Sequence, residues 1–269
     1  MAETLKANGV DLSTLVWSAT DLSGLLVTPP RRGENIAVPG RNGELYRPHK
    51  LFDRREFALP MWVVGDTEAE FLANVEQLVK VFLAPTVTFE YTRPDGSVRI
   101  AEAEVLDAFD PSRILGAPIT GLVTVPLTMS QPFWTDAEPV SQSFTVTTGT
   151  ETELTAFAAA TAPIDDLVIE ISPCSNPEIS QPAIGGYVAF DGIITTGHKL
   201  IIDMDQWKLL PGDGTPWTPD YAKLRHGGAR GPWFQLVPEV DRAPVVMVAH
   251  TGGGSATFTV TGRRRYLTA

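Results

Sequence analysis

The histidines are the side chains best suited to acid–base or metal chemistry in this sequence, and they lie far apart along the chain. They are His49, His198, His226 and His250. None belongs to a His-Glu-x-x-His pair, and the sequence contains neither a Gly-x-Ser-x-Gly turn nor a glycine-rich phosphate loop. The glycine run at 251–255 joins two predicted strands and precedes no helix, so it is interpreted as a turn. These patterns predict that the protein is not an enzyme.

Acidic residues and the single cysteine offer no convincing metal site. Asp203, Asp205 and Asp213 suggest a calcium loop, but their spacing lacks its regular alternation and its closing Glu. Cys174 is the only cysteine, so no intramolecular disulfide can form, and it has no Cys or His partner at metal-ligand spacing. We predict no metal, no cofactor and synthesis in a reducing compartment.

Three tryptophans in the second half keep a carbohydrate-binding alternative open. Trp207, Trp217 and Trp233 stand near Asp and Arg residues, and aromatic faces beside planar polar groups are what saccharide recognition uses. Trp207 and Trp217 are therefore possible glycan contacts. The other interpretation is that these rings anchor a core or a loop, since β-sandwich cores routinely bury Trp.

The charge of the chain restricts its partners. A net charge of −11 and a pI near 4.8 argue against a nucleic-acid-binding surface, because such a surface needs basic groups that displace counterions from phosphates. The basic triplet at 263–265 is therefore interpreted as a solvated or interface edge. No run reaches the roughly 18 apolar residues of a membrane span, and the first residues lack a signal-peptide core. We expect no membrane insertion.

The stretch 121–136 divides the chain into two predicted domains. Apolar residues recur at every second position from Val123 to Met129, as in a half-buried strand. Pro132 ends that strand, and Phe133 and Trp134 are expected to pack on what precedes them. At 269 residues with 23 Gly and 22 Pro, the chain suits two turn-rich, mainly β domains, predicted at 1–137 and 138–269.

The first domain has the pattern of an α+β unit. The stretch 57–64 alternates as a buried strand, in which Pro60 indicates an edge or a bulge. Residues 67–70 fit a capping box, and apolar residues at helical spacing follow. Those predicted to face the sheet are Phe71, Leu72, Val75, Leu78, Val79 and Phe82. A Pro-Asp-Gly turn at 93–96 between two alternating runs predicts a hairpin, so one helix packs on an antiparallel sheet.

The segment 35–50 is predicted to project as a hairpin. Its turn residues are too dense for a compact unit, yet Ile36, Val38, Leu45 and Tyr46 give it strand-like patches. Asn42-Gly43 is a strong signal for a type I′ turn, because both central positions need positive φ. An ordinary surface loop is the alternative.

The second half carries seven short strand-like runs separated by Gly, Pro and Asp turns, which is the pattern of a β-sandwich. The runs are 144–148, 166–172, 186–191, 198–204, 233–237, 245–249 and 256–261. The segment 208–232 is longer than a plain connection and is expected to form an elaborated loop.

The order of these features resembles the distal tail protein family of bacteriophages with long, non-contractile tails. The features are Val38-Pro-Gly-Arg-Asn-Gly-Glu-Leu45, the 59–65 strand, the lone helix, the Pro-Asp-Gly hairpin and Gln131-Pro-Phe-Trp-Thr-Asp136. The likeness extends over nearly the whole chain. It implies a tail-tube-like first domain with an antiparallel sheet or split barrel and one helix, and a galectin-like β-sandwich as the peripheral second domain.

The resemblance also implies a role and partners. The protein would be a structural virion component that forms a homo-oligomeric ring, a hexamer, at the end of the tail tube. Its partners would be the tail tube protein and the tail-tip or baseplate hub and receptor-binding proteins, after synthesis in the host cytoplasm. The hairpin would reach round a neighbouring subunit through residues 38–45. These interface candidates are Val38, Pro39, Gly40, Arg41, Asn42, Gly43, Glu44 and Leu45.

A ring that continues a tail tube would pass viral DNA through its lumen without specific binding. Its lining should be acidic or neutral, because basic groups would hold the polyanion by counterion release. Glu102 and Glu104 are the lumen candidates. The competing explanation is that the acidic charge only keeps the subunit soluble.

Overall fold

The computed structural model describes residues 3–14, 16–33, 35–37, 39, 42, 44–45, 51–108, 112–114, 119–206, 208–211, 220–227, 234–252 and 254–269. The chain forms two compact units. Unit 1 comprises Met1–Ala137 together with Tyr266–Ala269, and unit 2 comprises Glu138–Arg265. Within the described ranges, no helix is both long and apolar enough to cross a membrane.

Unit 1 is mainly antiparallel sheet with one substantial helix. Its elements are β1 Thr4–Ala7, β2 Val10–Asp11, β3 Trp17–Ala19, α1 Ser23–Leu26, β4 Arg31–Arg32, β5 Ile36–Ala37, β6 Glu44–Leu45, β7 Leu51–Phe52, β8 Arg55–Gly65, α2 Glu68–Val81, β9 Val87–Thr92, β10 Val98–Val105, β11 Ser112–Ile114, β12 Ile119–Met129 and β13 Trp134–Asp136.

The main sheet of unit 1 folds over its own core because β10 changes partners along its length. The strand order is β2-β1-β9-β10-β12-β8-β3. The first part of β10 pairs with β13 through Arg99 and Ile100, whereas its last residues, Glu104 and Val105, pair with β12. The two ends of one strand thus join two layers of the same sheet around a single apolar core.

The predicted strand and hairpin of unit 1 are confirmed. On β12 the side chains from Val123 to Met129 that alternate inward are at most 1% exposed, as the period of two requires. The hairpin β9–β10 turns at 93–96, where Gly96 has a φ of 84°. The prediction that Pro60 indicates an edge or a bulge is wrong: Pro60 pairs with Thr124 in an unbroken register, and Thr20 N donates to its carbonyl on the other side.

Helix α2 begins as predicted but buries a narrower face. Thr67 Oγ1 accepts from Glu70 N at 3.2 Å, and Glu70 Oε2 accepts from Asp66 N at 3.0 Å. Phe71 and Leu78 are buried, whereas Leu72 and Val79 are 49% and 36% exposed. The prediction that Leu72 and Val79 face the sheet is wrong, because the strands that α2 covers leave the flank of its apolar stripe in solvent.

The segment Tyr266–Ala269 returns to unit 1 and packs in its core. The Tyr266 ring lies 3.7 Å from the Arg99 guanidinium, and its hydroxyl donates to Asp136 at 2.8 Å. Arg99 donates to the carbonyl of Thr268 at 2.6 Å, and buried Arg55 donates to the carbonyl of Leu267. Desolvation lowers the pKa of Arg55 to about 10, so it stays cationic at neutral pH.

In its described residues, unit 2 is a sandwich of two five-stranded antiparallel sheets. Its strands are β14 Val140–Val146, β15 Thr150–Glu153, β16 Val168–Ile171, β17 Ser175–Gln181, β18 Gly186–Phe190, β19 Leu200–Asp203, β20 Lys208–Pro211, β21 Leu224–Gly227, β22 Val245–Thr251 and β23 Ala256–Gly262, followed by β24 Arg265–Tyr266, in which the chain returns to unit 1. One sheet has the order β14-β23-β16-β19-β20 and the other β15-β22-β17-β18-β21. Short 3-10 turns span Thr155–Phe157 and Tyr221–Lys223.

The fold class is confirmed as mainly β, with helix and sheet in unit 1 and a sandwich in unit 2. Three details of unit 2 differ from expectation. The segment 208–232 contributes strands β20 and β21 rather than a loop alone, and Leu236 makes only an isolated bridge with Ile164 in place of the predicted strand. Arg265, expected at a solvated or interface edge, is 3% exposed and pairs with Asp165 at 2.6 Å.

Candidate functional site

Strands β4 to β7 form two two-stranded pairs separate from the main sheet, β4 with β7 and β5 with β6. These four strands are here called the arm, with the pair β4–β7 as its base and the pair β5–β6 as its outer rung. At its base β4 pairs with β7 through Arg31 opposite Phe52. The Phe52 ring meets Phe133 edge-on at 5.2 Å between centroids, and the Arg31 guanidinium lies 5.4 Å from the Phe52 centroid. Asp53 N donates to the carbonyl of Pro30 at 2.8 Å. These contacts fix the base of the arm to unit 1.

In the outer rung of the arm, β5 pairs with β6. Their register differs from the one that a two-residue turn at Asn42-Gly43 would impose. Ala37 lies opposite Glu44, and Ile36 opposite Leu45, so six residues of sequence separate the paired positions. A type I′ turn centred on Asn42-Gly43 would instead place Arg41 opposite Glu44. The register of β5 and β6 is therefore not that of a two-residue hairpin, and Arg41 and Gly43 of the predicted turn lie outside the described residues.

The predicted interface residues fall into three groups. Pro39 and Asn42 are exposed, and Glu44 and Leu45 form β6. The others lie outside the described residues: Val38, Gly40, Arg41 and Gly43. Their role in an interface stays a prediction.

Glu102 and Glu104 lie exposed on the outward face of β10. They alternate with Ala101 and Ala103, which are buried in the same core as Phe71 of α2. The same outward face carries Glu90 on the adjacent strand β9 and Glu56 on β8, which β12 separates from β10. Lys6 pairs with Glu90 at 2.8 Å. Carboxylates therefore outnumber cations on the described strands of this face.

The outward face that carries Glu102 and Glu104 also presents an apolar patch, which was not predicted from the sequence. Trp62 on β8 is 38% exposed and lies opposite half-buried Leu122 of β12. Pro60 and Pro126 are half-buried on the same face. A large aromatic residue on the polar side of an alternating strand was the available signal, since Met61 and Val63 occupy the core side.

The residues predicted at the domain junction belong to the interior of unit 1. Pro132, Phe133 and Trp134 are all buried, and Trp134 lies 6.4 Å from Tyr91 between ring centroids. Unit 1 continues to Ala137, three residues beyond Trp134.

Among the described residues of unit 2, the predicted chemical candidates do not converge on a metal centre. Asp203 Oδ1 accepts from Asp205 N and Gln206 N at 3.0 and 2.9 Å, which closes the turn after β19. The residues Asp213, Trp207, Trp217 and Trp233 lie outside the described ones. Across the described part of the chain, no group of three or more His, Cys, Asp or Glu side chains could hold a metal ion.

The thiol of Cys174 is a poor nucleophile at neutral pH. It is half-buried against the core of unit 2, and burial raises its pKa to about 11. We expect alkylation by N-ethylmaleimide to accelerate about tenfold per pH unit, because the thiolate is the reacting species, and to level off only near pH 11. Mass spectrometry of the alkylated chain measures this rate. A plateau near pH 8.5, the ordinary value for an exposed thiol, would contradict the expectation.

The fold resembles that of a solved phage adsorption-apparatus protein. The particular structure that it resembles is the Dit protein (gp 19.1) of phage SPP1, a paradigm of the hub adsorption apparatus in phages that infect Gram-positive bacteria. The two share a TM-score of 0.63 and 14% identity over 98% of this chain and 99% of the SPP1 chain. The resemblance to distal tail proteins is thereby confirmed at the level of the fold.

A second solved structure, the phage P2 baseplate in its activated conformation with Ca, has a TM-score of 0.42 and 10% identity, with coverage of 97% and 98%. No protein-family model matches the sequence. No curated protein matches it either.

Proposed function

We propose that this protein is a structural component of a phage tail, a distal tail protein that forms a ring at the end of the tail tube. The observation that supports this most is the whole-chain likeness to the SPP1 Dit protein, which spans both units and leaves almost nothing of either chain unmatched. A common fold does not by itself imply a common function. Two further features support the proposal independently of that likeness. The arm is suited to contact a neighbouring subunit, and the acidic sheet face is suited to line a channel for DNA.

In this proposal the first domain, 1–137, builds the ring and the second, 138–269, lies at its periphery. The ring joins the tail tube protein to the tail-tip or baseplate hub and the receptor-binding proteins, and viral DNA passes through the lumen. The protein is made in the host cytoplasm, resides in the virion and has no catalytic role.

The arm is the proposed contact that joins each subunit to its neighbour. Within the part of the chain that the structure describes, its strands pair only with each other, in two separate two-stranded sheets. An isolated two-stranded ribbon is marginally stable in water, so the outer rung would gain most by packing on another subunit. Cyclic assemblies use such contacts head to tail, with the arm of each subunit on the next.

Deleting residues 35–50 should abolish assembly while both units stay folded. The deletion leaves Gly33-Glu34 between Arg32 and Leu51, which already pair. Gly33 has a φ of 118°, and a two-residue loop beginning with glycine suits a hairpin turn. Light scattering of the intact protein at increasing concentration should give six times the 29.1 kDa subunit, and the deletion variant should remain at the subunit mass.

A matched control keeps the arm at full length and replaces residues 38–43 with glycine and serine. It should weaken the ring without abolishing it, because the paired rungs persist while the contacts of the tip are lost. A deletion variant that forms an oligomer with the same number of subunits as the intact chain would show that the arm does not hold the ring together.

A further inference from the structure

Helix α2 presents an apolar stripe to solvent in addition to the face that it buries. Leu72, Val79 and Leu83 follow one another at the spacing of a single helix face, and they are 49%, 36% and 75% exposed. Leu83 comes directly after the C-cap residue Phe82, and Leu83 N donates to the carbonyl of Lys80 at 3.4 Å, so the helical turn continues to it. At the usual rise per residue this stripe, here called the outer stripe, is about 16 Å long.

The outer stripe is not an edge of the core of unit 1. The buried residues of α2 are Phe71, Asn74 and Leu78, which lie on another face of the helix. Apolar side chains exposed singly are normal on a protein surface, whereas a continuous row of them marks an interaction site. The outer stripe therefore has the character of a contact surface.

The core of unit 1 separates the outer stripe from the acidic sheet face. Phe71 of α2 is buried in the same core as Ala101 and Ala103 of β10, while Glu102 and Glu104 point away from it. In the proposed ring that acidic face lines the lumen, and so does the apolar patch around Trp62. The outer stripe is then the exposed apolar surface of unit 1 that a neighbouring subunit can reach from outside the lumen.

Charge complementarity favours the arm of a second copy as the occupant of this surface. Residues 31–52, which span the arm, contain five Lys or Arg and two Glu, a formal charge of +3 in a chain of −11. Helix α2 carries three Glu and one Lys, and Asp66 lies exposed just before it. Opposite charges on two surfaces select one partner over others. The arm is thus a cationic segment in an acidic chain, and α2 is acidic.

The outer rung of the arm also matches the outer stripe in its apolar spacing. Ile36 lies opposite Leu45, and directly opposite residues share one face of a strand pair with Cβ atoms about 4.5–5.5 Å apart. Residues four apart on a helix, such as Val79 and Leu83, have Cβ atoms about 5–6 Å apart. A strand pair can therefore place two apolar residues along one turn of the stripe.

We propose that the arm of one subunit packs on the outer stripe of the next, with Ile36 and Leu45 against Val79 and Leu83. The inference rests on the proposed function, in which the arm joins neighbouring subunits, and it names the surface that receives the arm. Arm and outer stripe are different surfaces of one chain, so the contact runs head to tail and can close a ring.

The first test changes the outer stripe in the full chain. Leu72→Lys combined with Val79→Lys should raise the protein concentration needed for assembly about a hundredfold in light scattering. An apolar contact at the centre of an interface commonly contributes about tenfold, and each lysine also repels the basic arm. The matched control is Ala73→Lys with Gln77→Lys, which are exposed on the same helix about a quarter turn or more from the stripe. The control should assemble as the intact chain does.

A milder pair of changes covers the case in which the lysines disturb α2. Leu72→Ala with Val79→Ala removes apolar contact and keeps the highest helix propensity. It should raise the concentration needed for assembly about tenfold.

A mixture of two variants identifies both surfaces. The Leu72→Lys, Val79→Lys chain keeps its arm, and the variant without residues 35–50 keeps its outer stripe. Neither should associate with itself, but together they should form a dimer with one copy of each. Native mass spectrometry recognises this dimer because the deletion lowers the mass of one partner. Adding the two lysines to the deletion variant as well should remove the dimer.

The possible failures are distinguishable. An intact chain that stays at the subunit mass would overturn the ring and this contact with it. A ring of normal stability in the Leu72→Lys, Val79→Lys variant, or a mixture without the dimer, would overturn the contact at α2 and leave the ring standing. Normal rings of that variant that fail to enter virions would assign the outer stripe to a different tail protein.

Discussion

Replacing Tyr266 with alanine is expected to destabilise unit 1 by about 4 kcal/mol, the usual loss for a large buried aromatic side chain. Tyr266 is 5% exposed, stacks against Arg99 at 3.7 Å and donates to Asp136. Its removal takes away buried apolar area, a cation–π contact and a hydrogen bond at once. It also leaves the buried Arg99 with less compensation for its charge.

Hydrogen exchange measured by mass spectrometry can follow each unit separately, which a single unfolding curve of a two-unit chain cannot. Strand β8 should lose protection in Tyr266→Ala, whereas β22 of unit 2 should keep it. The matched control is Tyr266→Phe, which retains the ring and loses only the hydroxyl, at a cost of about 1 kcal/mol. Equal losses in the two variants would contradict the packing role of the ring.

Replacing Glu102 and Glu104 together with lysine should slow DNA ejection from assembled particles. This expectation rests on the proposed ring, with the outward face of β10 towards the lumen. Both side chains are exposed and carry no ion pair that would neutralise them among the described residues. The double change replaces two carboxylates with two cations in each subunit, so the lining would bind phosphates.

Salt separates this effect from a general defect in assembly. In a plot of the logarithm of DNA affinity against the logarithm of salt concentration, the slope becomes steeper by about 0.9 for each phosphate contacted. Added salt should therefore restore ejection. A matched variant places the same charge change elsewhere, with Glu76→Lys on α2 and Glu151→Lys on β15, both exposed. Normal ejection by the Glu102 and Glu104 variant, from normally assembled particles, would exclude these two positions from the lumen and leave solubility as the explanation of the acidic charge.

Several elements could be predicted because their signals are local. The alternation from Val123 to Met129 determines which side of β12 is buried, since a strand turns every second side chain to one face. Thr67 and Glu70 determine where α2 begins, because their side chains satisfy backbone N–H groups within one turn. The Pro-Asp-Gly turn likewise determines the register of β9 against β10.

The candidate site was predictable only in part. The density of turn residues indicated the arm, but not its register, because Ala37 pairs with Glu44 through six intervening residues and not across Asn42-Gly43. The pattern of β8 contained Trp62, yet its exposure beside Leu122 depends on which strand lies next to β8. Strand β17 carries Asn and Pro, so it has a weak strand pattern of its own and forms by pairing with β22 and β18.

The sequence alone determined a mainly β chain with a domain boundary near Trp134, one capped helix and a turn-rich arm. These features were predictable because periodicity, caps and turns act within a few residues. Only the tertiary structure decided that Leu72 and Val79 of α2 stay exposed, that Tyr266–Ala269 returns to the core of unit 1, and that His250 meets Cys174 at one cavity. Those outcomes depend on contacts between segments as many as 212 residues apart, as between Arg55 and Leu267. No local pattern encodes such contacts, since they arise from the packing of whole elements.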